Sequence, residues 1–236
     1  MYMAIFTYPL FERENHLFVQ LPEGPFLIDT GSPMSFGTTR SISFGDETVP
    51  LRERAGMLGM NISMTTIRKL VTGPCSGLLG MDVLGKHTLH FCLRAGGLVV
   101  GDVEAVNRGT VLASAAAMGV PMIGIHSRGT DLRALFDTGA QYGYALNRDL
   151  VNGLDVIGHI SDYNPLLGDI SSDAWRLPYQ LIGDDGQLAS PLMHETVGYL
   201  EAGLLSLLNA DAIIGWHLLE GVDLVMRPGG GMEVTF

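Results

Sequence analysis

Apolar and polar residues alternate along much of this chain in short runs, and glycine, proline or acidic residues end the runs. Alternation with a period of two marks a strand with one buried face. "HLFVQLPEGPFLID" reads as two such strands about a turn at "LPEG", and "PMIGIHSRGTDLRALFD" as two more about "HSRG". "SISFGDETVPL" predicts a hairpin about Gly-Asp-Glu, and "WRLPYQLIGDDGQLASPLMHETV" a longer one about "GDDG". Helical periodicity is scarce, and short helices are expected only over 65–71 and 200–209. The 31 glycines fit many turns and few long helices. The pattern predicts an all-β chain with a few short helices.

The order of these elements repeats. "FLIDTGSP" carries Asp29 and "ALFDTGAQ" carries Asp137, 108 positions later. Each triplet follows an apolar strand. "SGLLGMDVLG" then places Gly80 51 residues after Asp29, and "DAIIGWHLLEG" places Gly215 78 residues after Asp137. A further hairpin pattern follows each: "LHFCLRAGGLVVGD" and "VDLVMRPGGGMEVTF". Both halves therefore read hairpin, Asp-Thr-Gly, variable middle, apolar-apolar-Gly, hairpin. Composition shifts at "GTVLASAAAMGVP", which sets two expected lobes, 1–108 and 109–236. Duplicated lobes pack about a pseudo-twofold axis, which brings the two aspartate loops face to face.

Composition narrows the function. With 236 residues, 47% hydrophobic and 17% charged, the chain buries a sizeable core without covalent staples. The formal net charge is −11 and the 14 basic residues are scattered, which argues against a nucleic-acid partner. No apolar run is long enough for a membrane span. The start, "MYMAIFTYPLFEREN", lacks the features of a signal peptide, so a cytoplasmic protein without a prosegment is expected. Cys75 and Cys92 form no CxxC and read as free thiols; the seven histidines show no metal spacing. Neither metal nor organic cofactor is expected. There is no G-x-S-x-G, H-E-x-x-H or P-loop.

The aspartates carry the candidate chemistry. Each closes an apolar strand and enters a Thr-Gly turn, where a buried sheet meets a loop. Two carboxyls held a few Å apart share one proton and titrate as a pair. One member then accepts a proton from water while the other donates one to a carbonyl oxygen.

The paired "DTGS" and "DTGA" motifs, with "LLG" and "IIG" downstream, resemble the two active-site halves of pepsin-type and retroviral-type aspartic proteases. "GLLGMDVLGKH" and "DTGA" look more like the retroviral branch, while two halves in one chain follow the pepsin plan. The resemblance implies a bilobal fold with Asp29 and Asp137 as the catalytic dyad. Thr30 and Thr138 would brace the loops across the lobes, with Gly31 and Gly139 in the turns. Ser32 would bond the Asp29 carboxylate, which Ala140 cannot do for Asp137. Pepsin-type enzymes close a flap with a Tyr near its tip, yet no Tyr or Trp lies between Gly31 and Gly80. "RAGMLGMN" is the most flap-like segment, with Met57, Leu58 and Gly59 against substrate. Trp175 and Tyr179 in the longer second middle offer a different cover, whereas Trp216 reads as core. The implied activity is hydrolysis of an extended peptide by a monomer, through water and without a covalent intermediate. The alternatives are a catalytically silent peptide-binding or regulatory module on the same fold, and a homodimer using one lobe from each chain.

Overall fold

The computed structural model describes residues 4–57, 60–101, 109–164, 168–201 and 203–236. The first half runs β1 (Phe6–Arg13), β2 (His16–Leu21), β3 (Gly24–Ile28), β4 (Phe36–Gly37), β5 (Ser41–Phe44), β6 (Glu47–Pro50), β7 (Arg54–Met57) and β8 (Met60–Ser63). It continues through α1 (Met64–Leu70), β9 (Gly77–Leu79), α2 (Met81–Leu84), β10 (Leu89–Cys92) and β11 (Gly97–Val100). The second half runs β12 (Thr110–Val111), β13 (Ser114–Ala117), β14 (Val120–Ser127), β15 (Thr130–Phe136), β16 (Gly143–Ala145), β17 (Val156–Asn164), β18 (Gly168–Leu181) and β19 (Met193–Tyr199). It ends with β20 (Ala212–Ile214), α3 (Leu218–Gly221), β21 (Asp223–Met226) and β22 (Met232–Thr235). The fold is mostly β and two-lobed, with short helices.

The alternating runs became the expected hairpins. β2 and β3 pair antiparallel and close at Leu21↔Gly24, and β14 and β15 close at Ser127↔Thr130. β5 pairs β6, and β18 pairs β19 from Trp175↔Val197 to Tyr179↔Met193. The expected helix over 65–71 is α1, shifted by one residue. The second expected helix is shorter than 200–209: it is a 3₁₀ segment, Gly203–Leu208.

Each half adds an outer strand that precedes the hairpin. β1 joins β2 through a two-residue turn at Glu14 and Asn15, and β13 joins β14 through Met118 and Gly119. Glu14 (φ 52°) and Asn15 (φ 61°) both sit in the left-handed region, as the twist of a tight hairpin requires. In the middle of each lobe the apolar-apolar-Gly strand lies between the strand entering the aspartate loop and the one leaving it. β9 runs parallel to β3 and antiparallel to β4. β20 runs parallel to β15 and antiparallel to β16.

The two halves share a sheet. Its order is β12-β22-β21-β10-β11-β1, and the pairing of β10 with β21 joins the lobes through Leu89↔Met226 and Phe91↔Leu224. All four of these side chains are fully buried. β1 serves two partners: Phe6 to Pro9 pair with β11, and Leu10 to Arg13 with β2. Pro9, which has no amide donor, stands at the changeover. One hydrophobic core spans both lobes, from Leu17 and Phe91 to Leu177 and Leu224.

Candidate active site

Both Asp-Thr-Gly loops open from the ends of buried strands. Ile28 and Phe136 are fully buried. The next residue in each lobe still donates to the sheet: Asp29 N–H to Leu79 O (3.0 Å) and Asp137 N–H to Ile214 O (2.9 Å). The loops then turn, with Ser32 N–H donating to Asp29 O and Ala140 N–H to Asp137 O, each at 3.2 Å. Gly80 explains its place in the repeat. A Cβ there would stand 2.7 Å from the backbone of Met34 and Ser32, so only glycine lets the crossing strand lie under the loop.

The two loops grip each other. Thr30 Oγ1 donates to Phe136 O (2.6 Å) and accepts from Thr138 N–H (2.9 Å). Thr138 Oγ1 donates to Ile28 O (3.0 Å) and accepts from Thr30 N–H (3.1 Å). Both threonines are completely buried. Thr30→Val keeps the shape but leaves Thr138 N–H and Phe136 O without a partner in the interior. It is expected to lower unfolding free energy by about 2 kcal/mol, read from urea denaturation.

The carboxyls of Asp29 and Asp137 meet at the centre, close enough for each to shift the other's titration. A Cβ on Gly31 would stand 2.4 Å from the Asp137 carboxyl, and one on Gly139 2.5 Å from that of Asp29. Each glycine therefore lies over the opposite aspartate. Ser32 N–H holds Asp29 Oδ1 (2.8 Å), and Gly139 N–H holds Asp137 Oδ1 (2.9 Å). The Ser32 hydroxyl does not take the role the resemblance implied: it donates to Met34 O (2.9 Å), and only the backbone N–H reaches the carboxyl. The loop turns the side chain toward its own C-terminal end. Ala140 therefore costs the second loop no bond to the dyad.

Burial raises the pKa of both aspartates. The charge of Asp137 raises Asp29 further, so the two carboxyls titrate as a pair that retains one proton between them. The dyad lies at the floor of a cleft of about 220 Å³. Leu27, Phe36, Ile62, Ile67 and Leu78 line the first-lobe side; Leu135, Tyr144, Asp162, Tyr163 and Ile170 line the second.

The substrate contacts read from sequence fare differently from the loops. β7 and β8 form the hairpin anticipated in "RAGMLGMN", with Met57 at the end of β7. Leu58 and Gly59 lie outside the described residues. Trp175 is not a cleft residue: it is 5% exposed in the shared core, with the Arg148 guanidinium 5.5 Å from its ring centroid. Tyr179 is equally buried. Both point to the inner face of β18, whose alternation does not say which buried face is core and which is cleft. Trp216 is buried too, and its Nε1 donates to Asn15 O (3.0 Å). That bond belongs to a clamp. The β1–β2 turn also donates from Asn15 Nδ2 to Gln141 O (2.8 Å) and accepts from Gln141 Nε2 at Glu14 O (2.9 Å).

A polar support behind each loop was not anticipated. In the first lobe Ser35 N–H and Oγ both donate to Asp82 Oδ1 (2.7 and 2.6 Å), and Ser35 Oγ accepts from Gly80 N–H (2.8 Å). At the corresponding places the second lobe has Gly143 and His217. A Cβ on Gly143 would stand 2.6 Å from Glu195 Cγ, so Glu195 of β19 occupies the room. Its Oε1 lies 3.7 Å from His217 Nδ1, too far for a hydrogen bond. Aligning the halves on their aspartates and glycines exposes both sets.

Comparison with known proteins adds little. No family model and no curated protein matches the sequence. Among solved structures, the chain is similar to an aspartic proteinase from Irpex lacteus, with 98% of each chain covered, 13% identity and a TM-score of 0.49. The chemistry of the site rests on this chain's own residues.

Proposed function

We propose that the protein is an aspartic endopeptidase that hydrolyses extended peptides at the Asp29/Asp137 pair. The observation that carries this reading is two buried carboxyls, each set against the glycine of the opposite, interlocked loop and both lining one cleft. In this reading a water sits between the carboxyls. The ionised carboxyl of the pair takes its proton as the oxygen adds to the peptide carbonyl carbon. The protonated partner gives its proton to the carbonyl oxygen. The tetrahedral diol then collapses: its proton returns to the dyad, the nitrogen is protonated, and the C–N bond breaks. Nothing is covalently held by the enzyme. The substrate lies as a strand, bonded through its backbone. One chain is the working unit, since it supplies both aspartates. The free thiols Cys75 and Cys92 fit the reducing cytoplasm.

Cleavage of a mixed peptide pool across pH, with and without pepstatin, tests the reading. Pepstatin is a statine peptide that mimics the tetrahedral diol. Activity is expected to be bell-shaped, because the pair works with one proton. It falls at low pH when both carboxyls are protonated, and at high pH when the pair loses its remaining proton. Pepstatin is expected to abolish it. A pool left intact at every pH would sink the proposal in favour of a silent binding module.

A further inference from the structure

The two walls of the cleft differ in one chemical respect. Phe36 and Tyr144 each stand seven residues after their aspartate. Each pairs with the crossing strand of its own lobe, Phe36 with Leu78 and Tyr144 with Ile213. Both are buried and both line the cleft. Phe36 ends in carbon, and the first-lobe wall around it is aliphatic. Tyr144 ends in a hydroxyl that donates to Asp162 Oδ2 at 2.6 Å. Asp162, on β17, is half-buried and also lines the cleft.

Among the described residues Asp162 is anchored by hydrogen bonds to neutral groups. Its Oδ1 accepts from the N–H of Tyr163 (2.7 Å), so both of its partners are neutral donors. Among the described residues no Lys or Arg forms an ion pair with it. His16, on β2, also lines the cleft; the Asp162 charge favours its protonation, but burial outweighs this and holds it toward its neutral form. A carboxylate with two bonds retains lone pairs for further donors. A half-buried carboxylate without an ion-pair partner is electrostatically complementary to a cation brought in from outside.

We propose that Asp162, anchored by Tyr144, is a specificity-determining carboxylate that takes a lysine or arginine side chain of the substrate near the scissile bond, opposite an apolar subsite built around Phe36. The proposal rests on the proteolytic reading of the dyad and names its substrate class: peptides with a cationic residue on one side of the cleft and an apolar one on the other.

The test uses peptides cut by the parent enzyme, varied one position at a time within about two residues of the cut among Lys, Arg, norleucine and Glu. At one position the parent is expected to favour Lys or Arg over norleucine by about tenfold or more in kcat/KM. Asp162→Asn is expected to erase that ratio while still cutting the norleucine peptide. Asp162→Glu is expected to keep it in part, and matching thermal unfolding midpoints certify both variants as folded. Equal cleavage of Lys and norleucine peptides at every position overturns the proposal and leaves the protease standing. So does an Asn variant that keeps the preference. Absence of any pepstatin-sensitive cleavage overturns the proteolytic reading, and this proposal with it.

Discussion

Asp29→Asn and Asp137→Asn, made separately, are each expected to lower kcat/KM for peptide cleavage by roughly 1,000-fold or more while the chain stays folded. Either change removes a proton acceptor or donor at the reacting atoms. Neither disturbs the loop, because an amide oxygen still accepts from Ser32 N–H or Gly139 N–H. Stability gives the control. A carboxyl whose pKa is raised on folding keeps its proton after the unfolded chain has lost its own. Stability therefore falls as pH rises from the unfolded value toward the folded one. Both aspartates are of this kind, so at pH 7 each Asn variant is expected to melt no lower than the parent. Loss of activity with an unchanged or raised midpoint supports the dyad. A variant that cleaves at the parental rate refutes it.

Glu195→Gln is expected to make the protein more stable at neutral pH, although it touches no substrate. Burial pushes the Glu195 carboxyl up to about 8, against the opposing N–H of Gly143. From about pH 4.5 upward the unfolded chain ionises this group and the folded chain does not, so parental stability drains away until the folded value is passed. Integrated to pH 7, this costs about 3 kcal/mol. The neutral Gln is free of that cost. The difference in unfolding free energy between variant and parent is therefore expected to be small near pH 4.5 and to grow by about 3 kcal/mol by pH 7, measured by urea denaturation. A difference that does not change with pH would show that Glu195 is ionised in the folded state. His217 acts in the opposite direction. Burial lowers its pKa, so the folded chain resists protonating it and loses stability as pH falls below its ordinary range. The first lobe carries neither liability, since Ser35 and Asp82 satisfy one another.

The local parts of this fold were legible because they are written locally. Alternation and turn residues mark β2, β3, β14 and β15, and the repeat marks the two loops and the strands that cross beneath them. What escaped was decided by distant contacts. The pairing of β10 with β21 joins residues more than 130 positions apart, and nothing in "LHFCL" or "VDLVM" names its partner. Trp175 misled because alternation marks the buried face of β18 without saying whether that face meets core or cleft. The helix expected to begin at Leu200 is cut short because Gly203 (φ 46°) breaks the right-handed course. Ser32 misled for a subtler reason: position after the triplet does not fix which way a hydroxyl turns. Tyr144 and Asp162 were readable only in part. The Phe-to-Tyr difference is visible once the halves are aligned, but its partner lies 18 residues on in a segment without counterpart.

The sheet common to both lobes decides what can be done with the halves. Severed between β11 and β12, each fragment would present a bare strand edge, β10 in one and β21 in the other, with side chains that lie dry in the intact chain. Such edges recruit other chains. Two separately expressed fragments therefore have one satisfying match, each other, because that union restores the edge pairing, the threonine grip and the Asn15 clamp together. A fragment alone keeps one aspartate and an adhesive margin. Joining the two halves in one chain makes their meeting along this edge independent of concentration.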